Sequence, residues 1–194
     1  MLEAVYRRQA RVLGVDVARY GSDSSVIFPR QGLVAFTPKV YRNLDTMAIA
    51  GQVARVVESW KPASVFVDVG GVGAGVVDRL LQLQVQVVPV DFGSKALEAT
   101  RFENKRAEMW WEMAEWTKSG ALPTNTDLQR DLTSPRITWR NKRGRVQLES
   151  KDELRARGLP SPDLADALAC TFAMRVMVPD ALAEKPAVDF EPLR

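Results

Sequence analysis

The chain has 194 residues, 46% of them hydrophobic, which suffices for one domain with a full core, alone or with a tail. It contains no histidine and a single cysteine. That excludes Ser-His triads, histidine general bases, imidazole-held zinc or iron and a disulfide framework, and it fits a reducing compartment. With 27 basic and 24 acidic residues the net charge is only +3, too little to argue nucleic-acid binding by itself. No apolar run approaches the roughly 20 residues of a bilayer span, and the N-terminus is charged where a signal peptide is apolar.

Residues 11 to 18, 23 to 30 and 33 to 41 read as three strands of an antiparallel meander, joined by turns at Gly21-Ser22 and Arg30-Gln31-Gly32. The first carries an acid inside an apolar stretch. Strand alternation puts Leu13, Val15 and Val17 on one face and Gly14, Asp16 and Ala18 on the other, so Asp16 stands between two small residues. A carboxylate there is costly to bury without a partner, and the room beside it suits a metal ion. Arg19 and Asp23 read as turn residues. A helix follows, with Asn43 or Asp45 as its cap, an apolar face from Met47 to Val57 and a stop at Lys61-Pro62.

Strand 64 to 68 closes on Asp68, a strand-end position where acids also make ordinary turns. A Gly-rich entry leads into a helix with Val76, Val77, Leu80 and Leu81, then into strand 85 to 90, with Asp91 just beyond it as a further candidate ligand. This alternation implies parallel pairing through right-handed crossovers. A long helix over 102 to 119 carries Trp110, Trp111, Met113 and Trp116, read mostly as core. On it Lys105 and Arg106 either touch a nucleic acid or cover a helix face. Ile137 to Glu149 read as a hairpin whose basic turn is either a phosphate contact or a solvated tip. The final helix, about 162 to 177, opens on Asp163 and Asp166 and buries Ala165, Leu168, Ala169, Cys170, Phe172, Ala173 and Val176. The expected organisation is a linker over 1–10, one domain over 11–178 and a flexible, proline- and charge-rich tail over 179–194.

Asp16, Asp68 and the Asp163/Asp166 pair thus lie on three segments able to converge. Without histidine any metal chemistry runs on carboxylates, hard ligands that suit magnesium, manganese or calcium and point to a phosphoester substrate. The order of three antiparallel strands, helix, strand, helix, strand and helices resembles the RNase H-like arrangement. The expected fold is α/β, a mixed five-stranded sheet of three antiparallel and then parallel strands, flanked by helices, with an added basic β-hairpin. In that fold the centre of the first strand, the end of the fourth and the start of the last helix meet at one edge.

Gly14-Val15-Asp16 with Arg19-Tyr20-Gly21-Ser22-Asp23, Val67-Asp68 with its Gly-rich continuation, and Ser161-Pro162-Asp163-Leu164-Ala165-Asp166-Ala167-Leu168 resemble the three acidic motifs of the nuclease domain of the tailed-bacteriophage terminase large subunit. The resemblance covers about residues 10 to 177. It implies an endodeoxyribonuclease that cuts concatemeric viral DNA during genome packaging, in the host cytoplasm, with two Mg2+ or Mn2+ ions. Those ions would lie about 3.5–4 Å apart in an in-line hydrolysis. Carried over, Asp16, Asp68 and Asp166 would be catalytic metal ligands, Asp16 bridging the ions. Asp163 is either a further ligand, as the Asp-x-x-Asp spacing of the related Holliday-junction resolvases suggests, or a helix-start residue complementing the dipole.

Arg140, Lys142, Arg143 and Arg145 would hold double-stranded DNA beside the acids. The resemblance also implies an N-terminal ATPase motor, a portal and a small terminase subunit as partners. No G-x-x-x-x-G-K-[ST] occurs, so the chain reads as the nuclease part of a longer protein. Two other readings stay open, a resolvase-type nuclease and a non-catalytic docking module of a packaging motor. Sugar-kinase and actin-like ATPases share the fold but need two such domains and a nucleotide.

Overall fold

The first strand, Arg11–Asp16 (β1), is apolar on both faces and becomes the middle of the sheet. In the computed structural model, which describes residues 9–18, 23–139 and 144–177, it pairs antiparallel with β2 (Ser25–Gln31) and parallel with β5 (Ser64–Asp68). The turn over 19–22, the hairpin turn through Arg140, Lys142 and Arg143, the tail over 179–194 and all but the last two residues of the expected linker lie outside the described residues. Beyond β5 the sheet continues in parallel with β6 (Val88–Val90), and beyond β2 it is extended by β3 (Val34–Ala35) and β4 (Lys39–Tyr41).

The expected third strand, 33 to 41, is therefore two short ones, both paired with β2. Pro38 sits in the gap between them, and proline has no N–H to give a ladder. The expected strand 85 to 90 is shorter as well, because the Val85 N–H is taken by the Leu80 carbonyl at the end of the preceding helix.

Helices α1 (Thr46–Trp60) and α2 (Gly73–Gln82) cover one face of the sheet. Asp45 caps α1 by accepting the Ala48 N–H, and Lys61 ends it in a left-handed conformation with φ of 50°. Ile49, Val53, Val76 and Leu80 from this pair pack on Leu13, Val15, Ile27, Val65 and Val67. Helices α3 (Lys105–Thr117), α4 (Thr126–Thr133) and α6 (Asp163–Cys170) cover the other face, where Met109, Met113 and Leu168 meet Val12, Phe28 and Phe66. Between them a short hairpin, β7 (Ile137–Thr138) with β8 (Gln147–Leu148), leads into α5 (Lys151–Ala156), which Ser150 and Glu153 start with a reciprocal capping box.

The expected helix over 162 to 177 stops at Cys170. The guanidinium of Arg30, on β2, donates to the Thr171 carbonyl and hydroxyl at 2.8 and 2.7 Å, and residues 171–173 close with i→i+3 bonds. Arg30 itself stacks on Phe172 at 4.2 Å, and burial lowers its pKa to about 10. Cys170 is buried, as expected of a core thiol.

Candidate functional site

Asp16 is the last residue of β1. The parallel register pairs Val15 with Val67, so one step further Asp16 stands beside Asp68 on the neighbouring strand, about 4.8 Å across the ladder. Asp68 is in turn paired with Val90, and Asp91 follows at the end of β6. Three acids thus occupy the C-terminal ends of three adjacent parallel strands, the edge at which open α/β sheets bind ligands.

Helix α6 crosses directly over this edge. A Cβ on Gly14 would lie 1.9 Å from the Ala167 carbonyl oxygen, so only glycine lets α6 approach β1 this closely. Asp163 and Asp166, three apart, project from one side of the helix. Asp163 Oδ2 accepts the Ser24 N–H at 2.6 Å, which ties the helix start to the segment entering β2. Asp16, Asp68, Asp91, Arg106 and Lys151 line a common cleft of about 510 Å3.

Two cations and an indole complete the centre. Arg106, from α3, grips Asp166 with Nε at 3.1 Å and Nη2 at 3.3 Å, and its third nitrogen donates to the Glu149 carbonyl at 2.9 Å. Trp110, one turn further along α3, donates its indole N–H to Asp166 Oδ1 at 2.8 Å. Lys151, the first residue of α5, places its ammonium 3.3 Å from Asp166 and 3.9 Å from Asp16.

The four carboxyls divide by these partners. Burial drives Asp16 well above the usual carboxylate range; Lys151 opposes this, while Asp166, Asp163 and Asp68 reinforce it. Asp68 is also raised by burial, against the pull of the Gly70 N–H that its Oδ1 accepts at 2.9 Å. Asp163 is pushed by burial to about 6. Asp166, though fully buried, is held below the usual range because Arg106 and Lys151 outweigh its desolvation. Lys151 is only half-buried; desolvation would lower its pKa, but Asp16 and Asp166 raise it above the ordinary lysine value.

The donor set is all oxygen, and the raised Asp16 and Asp68 have the charge deficit a divalent cation would fill, so the residues fit magnesium or manganese. Among the described residues no group of three acidic or cysteine side chains is placed to hold a metal ion as it stands.

The nuclease domain of the large terminase subunit gp2 of bacterial virus Sf6 superposes with a TM-score of 0.77 at 19% identity, over 88% of this chain and 90% of that one. The large terminase nuclease of thermophilic phage G20c gives 0.65 at 14% identity over 86% and 83%. The large terminase nuclease domain of Thermus phage P74-26 gives 0.60 at 14% over 84% and 78%. The fold is that of terminase nuclease domains, RNase H-like in type. A point variant of the Sf6 domain has been solved with manganese and the G20c domain with magnesium. No protein-family model and no curated protein sequence matches the chain.

Within this RNase H-like frame, Asp16 and Asp68 end adjacent strands and line one cleft, Lys151 lies between Asp16 and Asp166, and Asp163 is bonded to Ser24 at the start of the same helix as Asp166. The hairpin cations are a different matter. Arg140, Lys142 and Arg143 lie outside the described residues, and Arg145 is turned onto Glu103 at 2.6 Å, because β8 begins beside residues 101–103 through the Phe102–Val146 bridge. Lys105 and Arg106, expected as surface or nucleic-acid contacts, are both buried in ion pairs, with Glu108 and Asp166 respectively. Arg106, Trp110 and Lys151 were not legible as parts of the acid cluster. The only local signal is the i,i+4 spacing of Arg106 and Trp110, which puts both on one side of α3.

Proposed function

We propose that the chain is a metal-dependent endodeoxyribonuclease, the DNA-cutting domain of a phage terminase large subunit that severs concatemeric viral DNA during packaging. The observation that carries this is that Asp16 and Asp68 line one cleft at the ends of adjacent strands and that Lys151 links Asp16 to Asp166 of α6, in a fold shared with terminase nuclease domains. Relatives of that fold have been solved with manganese and magnesium, and an all-carboxylate donor set suits the same hard cations. When bound, two such ions would supply the activated water and the charge stabilisation for in-line displacement of a 3′ oxygen.

The chain's own groups then have distinct tasks. Asp16, paired with Val26 at the end of the central strand, would serve as the shared ligand. Asp68 and Asp166 would complete the ligand set, and Arg106 and Trp110 fix the direction in which Asp166 points. Asp163, tied to Ser24, is both the helix start and a reserve ligand beside them. Lys151 balances the acids electrostatically. Arg140, Lys142 and Arg143 hold DNA phosphates without reading sequence. Residues 11–178 make up the nuclease, 1–10 a linker and 179–194 a tail; an ATPase motor, portal and small subunit would deliver the DNA.

The test is nicking and linearisation of supercoiled plasmid with manganese, magnesium or chelator, comparing wild type with Asp16→Asn and Asp166→Asn. Metal-dependent cleavage lost in both variants supports the nuclease. No cleavage by folded wild type in either metal overturns it in favour of a docking module.

A further inference from the structure

Helix α6 starts without a side-chain cap of its own. Pro162 occupies the boundary position, and it carries neither an N–H nor a side-chain acceptor. The acceptor comes from another helix. Asp131, near the end of α4 and 3% exposed, takes the Leu164 backbone N–H on its Oδ2 at 3.1 Å. Its Oδ1 is held by Arg130 at 2.9 and 3.3 Å, so the carboxylate is anchored within α4 before it reaches across.

Leu164 lies between Asp163 and Asp166, and on the far side of the same turn Asp163 is gripped by the Ser24 N–H. The first turn of α6 is thus clamped from two elements at once. A negative group at this end of a helix also complements its dipole. A buried carboxylate is costly, and a serine at position 162 would cap the helix locally, but only from its own boundary residue, without fixing it to α4.

We propose that Asp131 is a positioning residue for the carboxylate centre: capping α6 from α4, it sets where Asp163 and Asp166 project. This rests on the nuclease reading above and deepens it. Groups one step behind metal ligands typically change metal affinity 10- to 100-fold when removed, because ligand direction, not only ligand identity, decides coordination.

The experiment titrates manganese in plasmid nicking by the whole chain, as wild type, Asp131→Ala and Asp131→Asn, with amide hydrogen exchange of wild type alongside. Asp131→Ala should need about 10-fold more manganese for half-maximal nicking and recover most of the rate at saturation. Asp131→Asn keeps an oxygen for the Leu164 N–H and should stay within about 2-fold of wild type. The wild-type Leu164 amide should be as protected as amides deeper in α6.

An unchanged manganese requirement in folded Asp131→Ala, or an Asp131→Asn as impaired as alanine, overturns the proposal. If the alanine variant does not fold, rapid exchange at wild-type Leu164 overturns it equally. Wild type that cuts normally while Asp131→Ala matches it removes only Asp131 from the centre. Wild type that neither binds manganese nor cuts removes the nuclease reading, and this inference with it.

Discussion

The two faces of the sheet are covered by different kinds of helix. Under α1 and α2 the packing is apolar throughout, Leu13, Val15, Ile27 and Val67 against Ile49, Val53 and Leu80. Under α3 and α6 an equally buried layer contains Arg106, Glu108, Asp131, Glu149 and Asp166 among Phe28, Phe66 and Leu168. Buried ion pairs seldom stabilise a fold more than apolar groups of the same volume would. The first face therefore supplies stability at low cost, whereas the second carries charges whose return is the fixed direction of a carboxylate. That contrast is what substitutions should expose.

The largest effect belongs to Asp16→Asn. Metal-dependent nicking should fall at least about 100-fold, since a ligand matters no less than its supports. Thermal melting in chelator should hold or rise, because the change removes a carboxylate whose ionised form burial disfavours. Asp166→Ala behaves in the opposite way, stranding Arg106 and Lys151, and should cost roughly 3–5 kcal/mol in denaturant titration as well as the activity. Leu80→Ala, on the apolar face, should cost a similar 2–5 kcal/mol or so, yet leave the nicking rate per folded molecule unchanged. Equal stability losses with unequal activity would sharpen the contrast; equal activity losses would break it.

Gly14→Ala tests how closely the charged face is built. The added methyl meets the Ala167 carbonyl at 1.9 Å and must lift α6, at a cost of about 1–3 kcal/mol. Because α6 carries two of the acids, the manganese needed for half-maximal nicking should rise along with the loss of stability. A variant that melts lower but keeps the wild-type metal requirement would separate the packing of α6 from the carboxylate geometry.

The apolar face and the first two acids were readable from local sequence. Strand alternation placed Asp16 beside Gly14, the end of an apolar run marked Asp68, and three-residue spacing joined Asp163 to Asp166. What escaped were the contacts made by residues far apart in the chain. Arg106 reaches Asp166 across 60 positions, Asp131 reaches Leu164 across 33, and Arg30 ends α6 across 141. Helices α4 and α5 escaped for another reason. They are short and polar, and their caps, Asn125 and Ser150, are residues that turns use equally. Where a property depends on period it was visible; where it depends on which distant cation faces a carboxylate it was not.

Titration separates the acids further. Asp163 rises from 3.8 to about 6 on folding, and Asp16 and Asp68 rise as well, so the folded chain binds more protons than the unfolded one between those values. Its stability in chelator should therefore increase as pH falls from 7 towards 4. Asp166 and Glu108 are depressed, so their contribution is present above the ordinary carboxylate pKa and is lost as pH falls through their lowered values. Melting temperature in chelator should accordingly peak in the mildly acidic range. Saturating manganese should move the peak upward, because a cation favours the ionised acids. Nicking should decline below about pH 6 as protons compete for Asp16, Asp68 and Asp163. A peak at the same pH with and without manganese would mean that these carboxyls do not hold the ion.

The smallest effect is expected at the hairpin, where neighbouring cations differ in what balances them. Arg145 is neutralised by Glu103 at 2.6 Å and also donates to the Ala99 carbonyl, so its charge is already committed to holding the base of the hairpin. Arg140, Lys142 and Arg143 form a run of basic residues with no acid between them in sequence. If they touch phosphates, replacing all three with alanine should lower the slope of log affinity against log salt by up to about 3, near one for each phosphate no longer neutralised. Arg145→Ala should leave that slope unchanged and lower the melting temperature instead. Fluorescence anisotropy of duplex DNA between low and physiological salt, in calcium to suppress cutting, measures both. A slope that shifts with Arg145 and not with the other three would reverse the assignment and make the base of the hairpin, next to Lys151 and the cleft, the part that meets DNA.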